Sequence, residues 1–139
     1  MNLEKMREQL ILHEGLKLKP YTCTGGKLTI GVGRNLENKG INHDEAMFLL
    51  DQDIDECVRD CIVIAGGLQK WNQLSDARQR VLVDMRFNLG GAGLRSFRRM
   101  LAALQRSDYP MAAVEMLDSR WATQVGQRAV RLAQMMREG

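Results

Sequence analysis

Aromatic side chains are scarce in this 139-residue chain, at 5% of residues. The core must therefore be mainly aliphatic, built from Leu, Val, Ile, Ala and Met, and the nine Met residues read as filler for irregular gaps. Cysteine is also sparse. Three Cys is an odd count that cannot form a framework of paired bridges, and it points to a reducing compartment. The two histidines, His13 and His43, lack the paired spacing of a zinc motif, so no metal is expected. No Lys/Arg block of the kind found in nucleic-acid-binding arms occurs, and no partner of that kind is expected. No run approaches the roughly 20 apolar residues of a membrane span. Met1 to Arg7 is charged where a secretory signal needs an apolar core. Repeats, low-complexity tracts and flexible linkers are absent.

What is present suffices for one domain. The hydrophobic fraction is 45%, ample for a core. The net charge of +3 is mildly basic and would favour an anionic polymer. Residues 2–13 have helical spacing, with Leu3, Met6, Leu10 and His13 on one stripe and Gly15 as a stop. From Leu16 to Leu36 glycines and Pro20 punctuate the chain, and Gly25-Gly26 between Tyr21–Thr24 and Lys27–Val32 predicts a hairpin. Asn42 and Glu45 form a capping-box pattern that opens a helix reaching Ile64, with Cys57 and Cys61 on its core face. The remainder reads as helices: Ser75–Leu89, Gly93–Gln105, Met111–Leu117, a short turn or helix at Ser119–Trp121, and Gln127–Arg137. This predicts an α+β molecule, a small hairpin lobe and a larger helical lobe joined by a long helix, with a cleft between them.

Three polar residues stand out between positions 14 and 29. Glu14 ends a helix beside Ile11 and Leu12, where apolar shielding could keep it protonated as a general acid. Cys23 lies in the turn Thr22-Cys23-Thr24-Gly25-Gly26, where a thiol is reachable. Thr29 sits on a short strand and could orient a water. Each has an ordinary structural reading when taken alone. A Cys23–His13 nucleophile pair is disfavoured, because successive helical side chains point about 100° apart. Arg95, Arg98 and Arg99 read as a surface patch for an anionic wall.

The run Glu14-Gly15-Leu16-Lys17-Leu18-Lys19-Pro20-Tyr21, followed by Thr29-Ile30-Gly31-Val32-Gly33, resembles the opening signature of phage lysozymes of the T-even type (glycoside hydrolase family 24). Asp44-Glu45-Ala46, Phe87-Asn88-Leu89-Gly90, Phe97, Ser119-Arg120-Trp121 and Arg128-Ala129 resemble later family segments in the family's order. The resemblance implies a lysozyme-like fold over 1–139, with an N-terminal lobe of about 14–64 and a helical lobe of 65–139 plus helix 2–13. It implies an endolysin muramidase that cleaves the β-1,4 bond between N-acetylmuramic acid and N-acetylglucosamine in peptidoglycan and lyses the host cell.

The family's Glu, Asp and Thr fall on Glu14, Cys23 and Thr29 with spacing intact, so Cys23 replaces the aspartate. A neutral thiol substitutes poorly for a carboxylate, whereas a thiolate could act as base or nucleophile. Phe87 matches a family substrate contact, with Asn88 beside it. Arg128 matches a family arginine near the catalytic Glu; it would lower the Cys23 pKa while a nearby Glu14 carboxylate would raise it, and the sequence leaves the net sign open. Met100 and Glu115 occupy two further contact positions, and those contacts are not carried over. A monomer without cofactor is expected, made in the host bacterial cytoplasm and reaching the wall through a holin lesion without stable membrane association. The alternatives are a wall-binding module that has lost catalysis and a cysteine peptidase.

Overall fold

A computed structural model describes all 139 residues. The chain runs α1 (Leu3–Glu14), β1 (Lys17–Thr22), β2 (Leu28–Gly31), β3 (Arg34–Asn35), α2 (His43–Ile64), α3 (Leu68–Gln73), α4 (Asp76–Arg95), α5 (Arg98–Gln105), α6 (Tyr109–Leu117), α7 (Arg120–Val125) and α8 (Gln127–Glu138). It is mostly helical with one small antiparallel sheet, the α+β class expected from sequence. Two compact units are formed, Met1–Phe48 and Leu49–Gly139. No helix is long and apolar enough to cross a membrane.

In the N-terminal unit, Asn2 caps α1 by accepting the Lys5 N–H at 3.0 Å. Gly15 ends it at φ +76°, donating its N–H to the Ile11 carbonyl. That conformation suits a residue without Cβ. The helix buries none of its residues. Its apolar groups are spread around the cylinder, with Ile11 and Leu12 off the Leu3–Met6–Leu10 stripe, so the periodicity yields no buried face. The sheet order is β1-β2-β3, with Tyr21 opposite Thr29 and Thr22 opposite Leu28. The register is irregular between Lys17 and Tyr21, the stretch that holds Pro20, which has no N–H for the ladder. Strand β3 adds to the expected hairpin. Its two residues pair with Ile30 and Thr29, too short a segment for a period-2 signal.

The start of α2 bears out the capping box. Asn42 Oδ1 accepts the Glu45 N–H at 2.8 Å, and Glu45 Oε2 accepts the Asn42 N–H at 3.0 Å. The same carboxylate takes a two-pronged bond from Arg34, at 2.9 and 2.8 Å, and Arg34 also donates to the Gly40 carbonyl. Strand β3 is thereby tied to the head of α2.

In the helical unit the core gathers Cys61, Val81, Leu82, Met85, Leu94, Met100, Met116 and Met136, all below 2% exposed. Aliphatic and thioether groups supply most of this packing, and Trp71 and Trp121 are the buried aromatics among them. Met1, Met47 and Met111 are exposed, so not every Met is filler. Helices α6 and α8 pack against each other, and Ala112 and Ala113 on the one and Ala129 and Ala133 on the other are buried. Cys57 and Cys61 are buried free thiols, as expected. Burial pushes the Cys61 thiol up to about 12 and raises Cys57 as well.

The expected stop after Leu89 is present: Gly90 is non-helical (φ +77°, ψ +169°), and helical backbone resumes beyond it to Arg95, all within α4. One boundary differs from the sequence reading. The expected helix from Gly93 to Gln105 is broken at Phe97, whose ψ is +58°. There the Ser96 hydroxyl turns back to the Gly93 carbonyl at 2.6 Å, a local bond that competes with helix continuation. Helix α3 is a further element beyond the sequence expectation.

Candidate functional site

Glu14 is the last residue of α1 and its side chain is exposed. The apolar shielding expected from Ile11 and Leu12 is missing, since those side chains are 42% and 80% exposed. What stands against Glu14 is a backbone. A methyl group built on Gly33 would lie 3.0 Å from Glu14 Oε2 and 3.3 Å from its Cδ. The carboxyl thus lies over the face of Gly33 that a side chain would occupy. Gly33 sits in the turn between β2 and β3, with φ +66°.

Cys23 occupies the β1–β2 turn. Its N–H donates to the Lys27 carbonyl at 3.0 Å, and its own carbonyl accepts the Gly26 N–H at 2.9 Å. These bonds close the turn predicted from Gly25-Gly26. The thiol is free and half-buried. Its pKa is lowered from the ordinary value, first by the Lys27 backbone N–H, then by the Thr29 hydroxyl, then by the Gly25 N–H, with burial opposing them. Donors that turn toward sulfur favour the charged form. The lowering comes entirely from within the hairpin.

Thr29 is 3% exposed, the one buried polar residue of the chain. Its hydroxyl donates to the Lys27 carbonyl at 2.9 Å. That carbonyl also accepts the Cys23 N–H, so Cys23 and Thr29 share an acceptor. When Cys23 ionises, the Thr29 proton can turn to sulfur without stranding the carbonyl, which keeps its other donor. Strand β2 therefore carries Thr29 beside Cys23 and leads directly into the turn on which Glu14 lies. His13 is not among the groups that act on Cys23, which gives the cysteine peptidase reading no support.

The other predicted residues lie in the helical unit. Phe87 is 50% exposed and lines a groove of about 330 Å³ with Leu50, Ile54, Val83, Asp84 and Arg128. Arg128 is held by Asp84, at 2.8 Å from Nε and 2.7 Å from Nη2. Asn88 commits its side-chain carbonyl to the Trp121 indole N–H at 2.8 Å, and Phe97 packs edge-on against that indole. The sequence carries Gly33 only as the end of the run Thr29–Gly33, with no role of its own, and does not single out Asp84: a glycine in a turn is a weak signal, and a helical Asp gives none.

Comparison with known proteins identifies the family. The model of the phage lysozyme family matches residues 12–137. The chain is 24% identical to "Probable T4-type lysozyme 2" of Dictyostelium discoideum, over 99% of this chain and 96% of that one. It is 28% identical to the "Pre-baseplate central spike protein Gp5" of Enterobacteria phage T4, over 96% of this chain and 28% of that protein. The chain belongs to the phage lysozyme family, whose enzymes hydrolyse peptidoglycan.

Proposed function

We propose that this protein is an active muramidase that works as an endolysin. It cleaves the bond between C1 of N-acetylmuramic acid and the oxygen of N-acetylglucosamine, with Glu14, Cys23 and Thr29 as its catalytic residues. Glu14 gives its proton to the leaving oxygen as the C1–O bond breaks. A water held by the Thr29 hydroxyl attacks C1 and passes a proton to the Cys23 thiolate. The products are a reducing N-acetylmuramic acid end and an alcohol, and proton exchange with solvent restores the site.

The observation that carries this reading is the set of hairpin donors that lower the Cys23 pKa. They favour an anion at the position where the family carries a carboxylate. Phe87, Asn88 and Arg128 are taken as glycan contacts, and residues 1–139 as one lysozyme domain, a monomer without cofactor. The protein is taken to reach the wall from the host cytoplasm through an opened inner membrane, with no lasting membrane association. Host lysis follows from loss of the wall, and Arg95, Arg98 and Arg99 are taken to face the anionic wall.

The test is release of reducing ends from purified peptidoglycan, with the anomeric form of the product followed by NMR. Wild type should release reducing ends with inversion. Glu14→Gln should lose at least about a hundredfold, the usual worth of a general acid. Cys23→Ser should be strongly impaired and Cys23→Asp active. The rise of activity with pH should follow the Cys23 thiol in wild type and move to the carboxylate range in Cys23→Asp. Retention of configuration would make Cys23 a nucleophile instead of a base. Wall binding without release of reducing ends at any pH would leave only a binding module.

A further inference from the structure

We propose that Gly33 is a positioning residue for the catalytic acid: its bare backbone is the seat that holds the Glu14 carboxyl at the end of α1. The proposal rests on the reading of Glu14 as the acid. Glu14 takes part in none of the seven ion pairs of the chain and is exposed, so charge pairing does not set its placement.

The seat is the space beside Gly33 that a Cβ would fill. A methyl group on Gly33 would meet Glu14 at 3.0 Å from Oε2, 3.3 Å from Cδ and 3.5 Å from Cβ. A Cβ at this position forces the Glu14 carboxyl to give way by a few tenths of an ångström. The seat is itself held firmly. It lies in a turn closed by the pairing of Ile30 with Arg34. The residue after it, Arg34, is pinned by the two bonds to Glu45 and one to the Gly40 carbonyl. The same β2 strand bears Thr29, so one rigid element sets the acid and the water-orienting hydroxyl in a common frame. That frame matters, because a misplacement of about 1 Å at a reacting group costs up to roughly a hundredfold in rate.

The turn contains its own control. Gly31 has nearly the same backbone, φ +68° against +66° for Gly33, but a methyl group on Gly31 would meet nothing within 4 Å. Alanine at either position meets the same left-handed strain, and only alanine at 33 meets Glu14.

The experiment is a pair of double-mutant cycles read by urea unfolding, Gly33→Ala with Glu14→Ala and Gly31→Ala with Glu14→Ala, beside steady-state kinetics on solubilised peptidoglycan. Gly33→Ala should cost more stability with Glu14 present than in the Glu14→Ala background, whereas Gly31→Ala should cost the same in both. In kinetics, Gly33→Ala should lower kcat about tenfold or more with KM within twofold, and Gly31→Ala should leave kcat near wild type. Should the alanine variants not fold, Gly33→Asn and Gly31→Asn carry the same Cβ on a residue that tolerates positive φ. Equal penalties in both backgrounds, or a Gly33 variant with wild-type kcat, overturn the seat. Coupling in the stability cycle together with a fully active Glu14→Gln would leave the contact standing and remove the catalytic reading of Glu14.

Discussion

Replacing Thr29 by Val tests whether its hydroxyl serves the thiol or only the fold. Val keeps the shape and deletes the O–H that donates to the Lys27 carbonyl at 2.9 Å. That carbonyl retains the Cys23 N–H at 3.0 Å, so no buried acceptor is orphaned. The stability cost should therefore stay near that of one hydrogen bond, about 0.5–1.5 kcal/mol, well short of the penalty for an unsatisfied polar group. Thr29→Ser keeps the donor and loses one methyl group, about 0.8 kcal/mol of apolar burial. The two variants should thus be of similar stability and of different chemistry.

The chemistry is read by the pH dependence of alkylation of the folded protein with iodoacetamide. Cys57 and Cys61 are buried, with the Cys61 thiol pushed up to about 12, so near neutral pH the signal comes from Cys23. Thr29→Val should move the apparent pKa of Cys23 upward, because the second of the causes that lower it has been deleted. Thr29→Ser should leave it in place. A titration of Cys23 identical in wild type and Thr29→Val would refute the argument that this hydroxyl turns to sulfur. The linked stability has a fixed sign. The folded pKa is depressed, so the thiolate adds stability above the unfolded pKa, and that contribution is lost as pH falls through the folded value.

Two further outcomes follow from other parts of the molecule. The Arg34 guanidinium, first by its hydrogen bonds, holds the Glu45 carboxyl below its ordinary range, with the Asn42 N–H adding to it. This contribution is present above the unfolded carboxylate pKa and lost as pH falls through the lower folded value. Glu45→Gln should therefore reduce stability at neutral pH and narrow the difference from wild type toward strong acid, measured by urea midpoints at each pH. In the helical unit, Met116 is fully buried between its neighbours, so Met116→Ala should cost about 2–5 kcal/mol through the cavity it leaves. Val63, 69% exposed, should lose no more than about 0.5 kcal/mol on the same substitution.

The sequence by itself determined the features that depend on near neighbours. Asn42 with Glu45, Gly15 after Glu14 and Ser75 before α4 place helix ends by bonds that span three or four residues. The Gly25-Gly26 turn, the buried pair Cys57 and Cys61, and the spacing of Glu14, Cys23 and Thr29 were legible for the same reason. Tertiary structure alone decided the direction of the Cys23 pKa, because the donors that turn to sulfur include backbone N–H groups, which every residue but proline carries and no residue type announces. It decided that Glu14 rests on the backbone of Gly33, since a missing Cβ becomes a contact only when the fold brings another side chain to it. It also decided that Arg34 reaches Glu45 and that Arg128 pairs with Asp84. Long flexible cations have many sequence-compatible partners, and only the packing of strands and helices leaves one within reach.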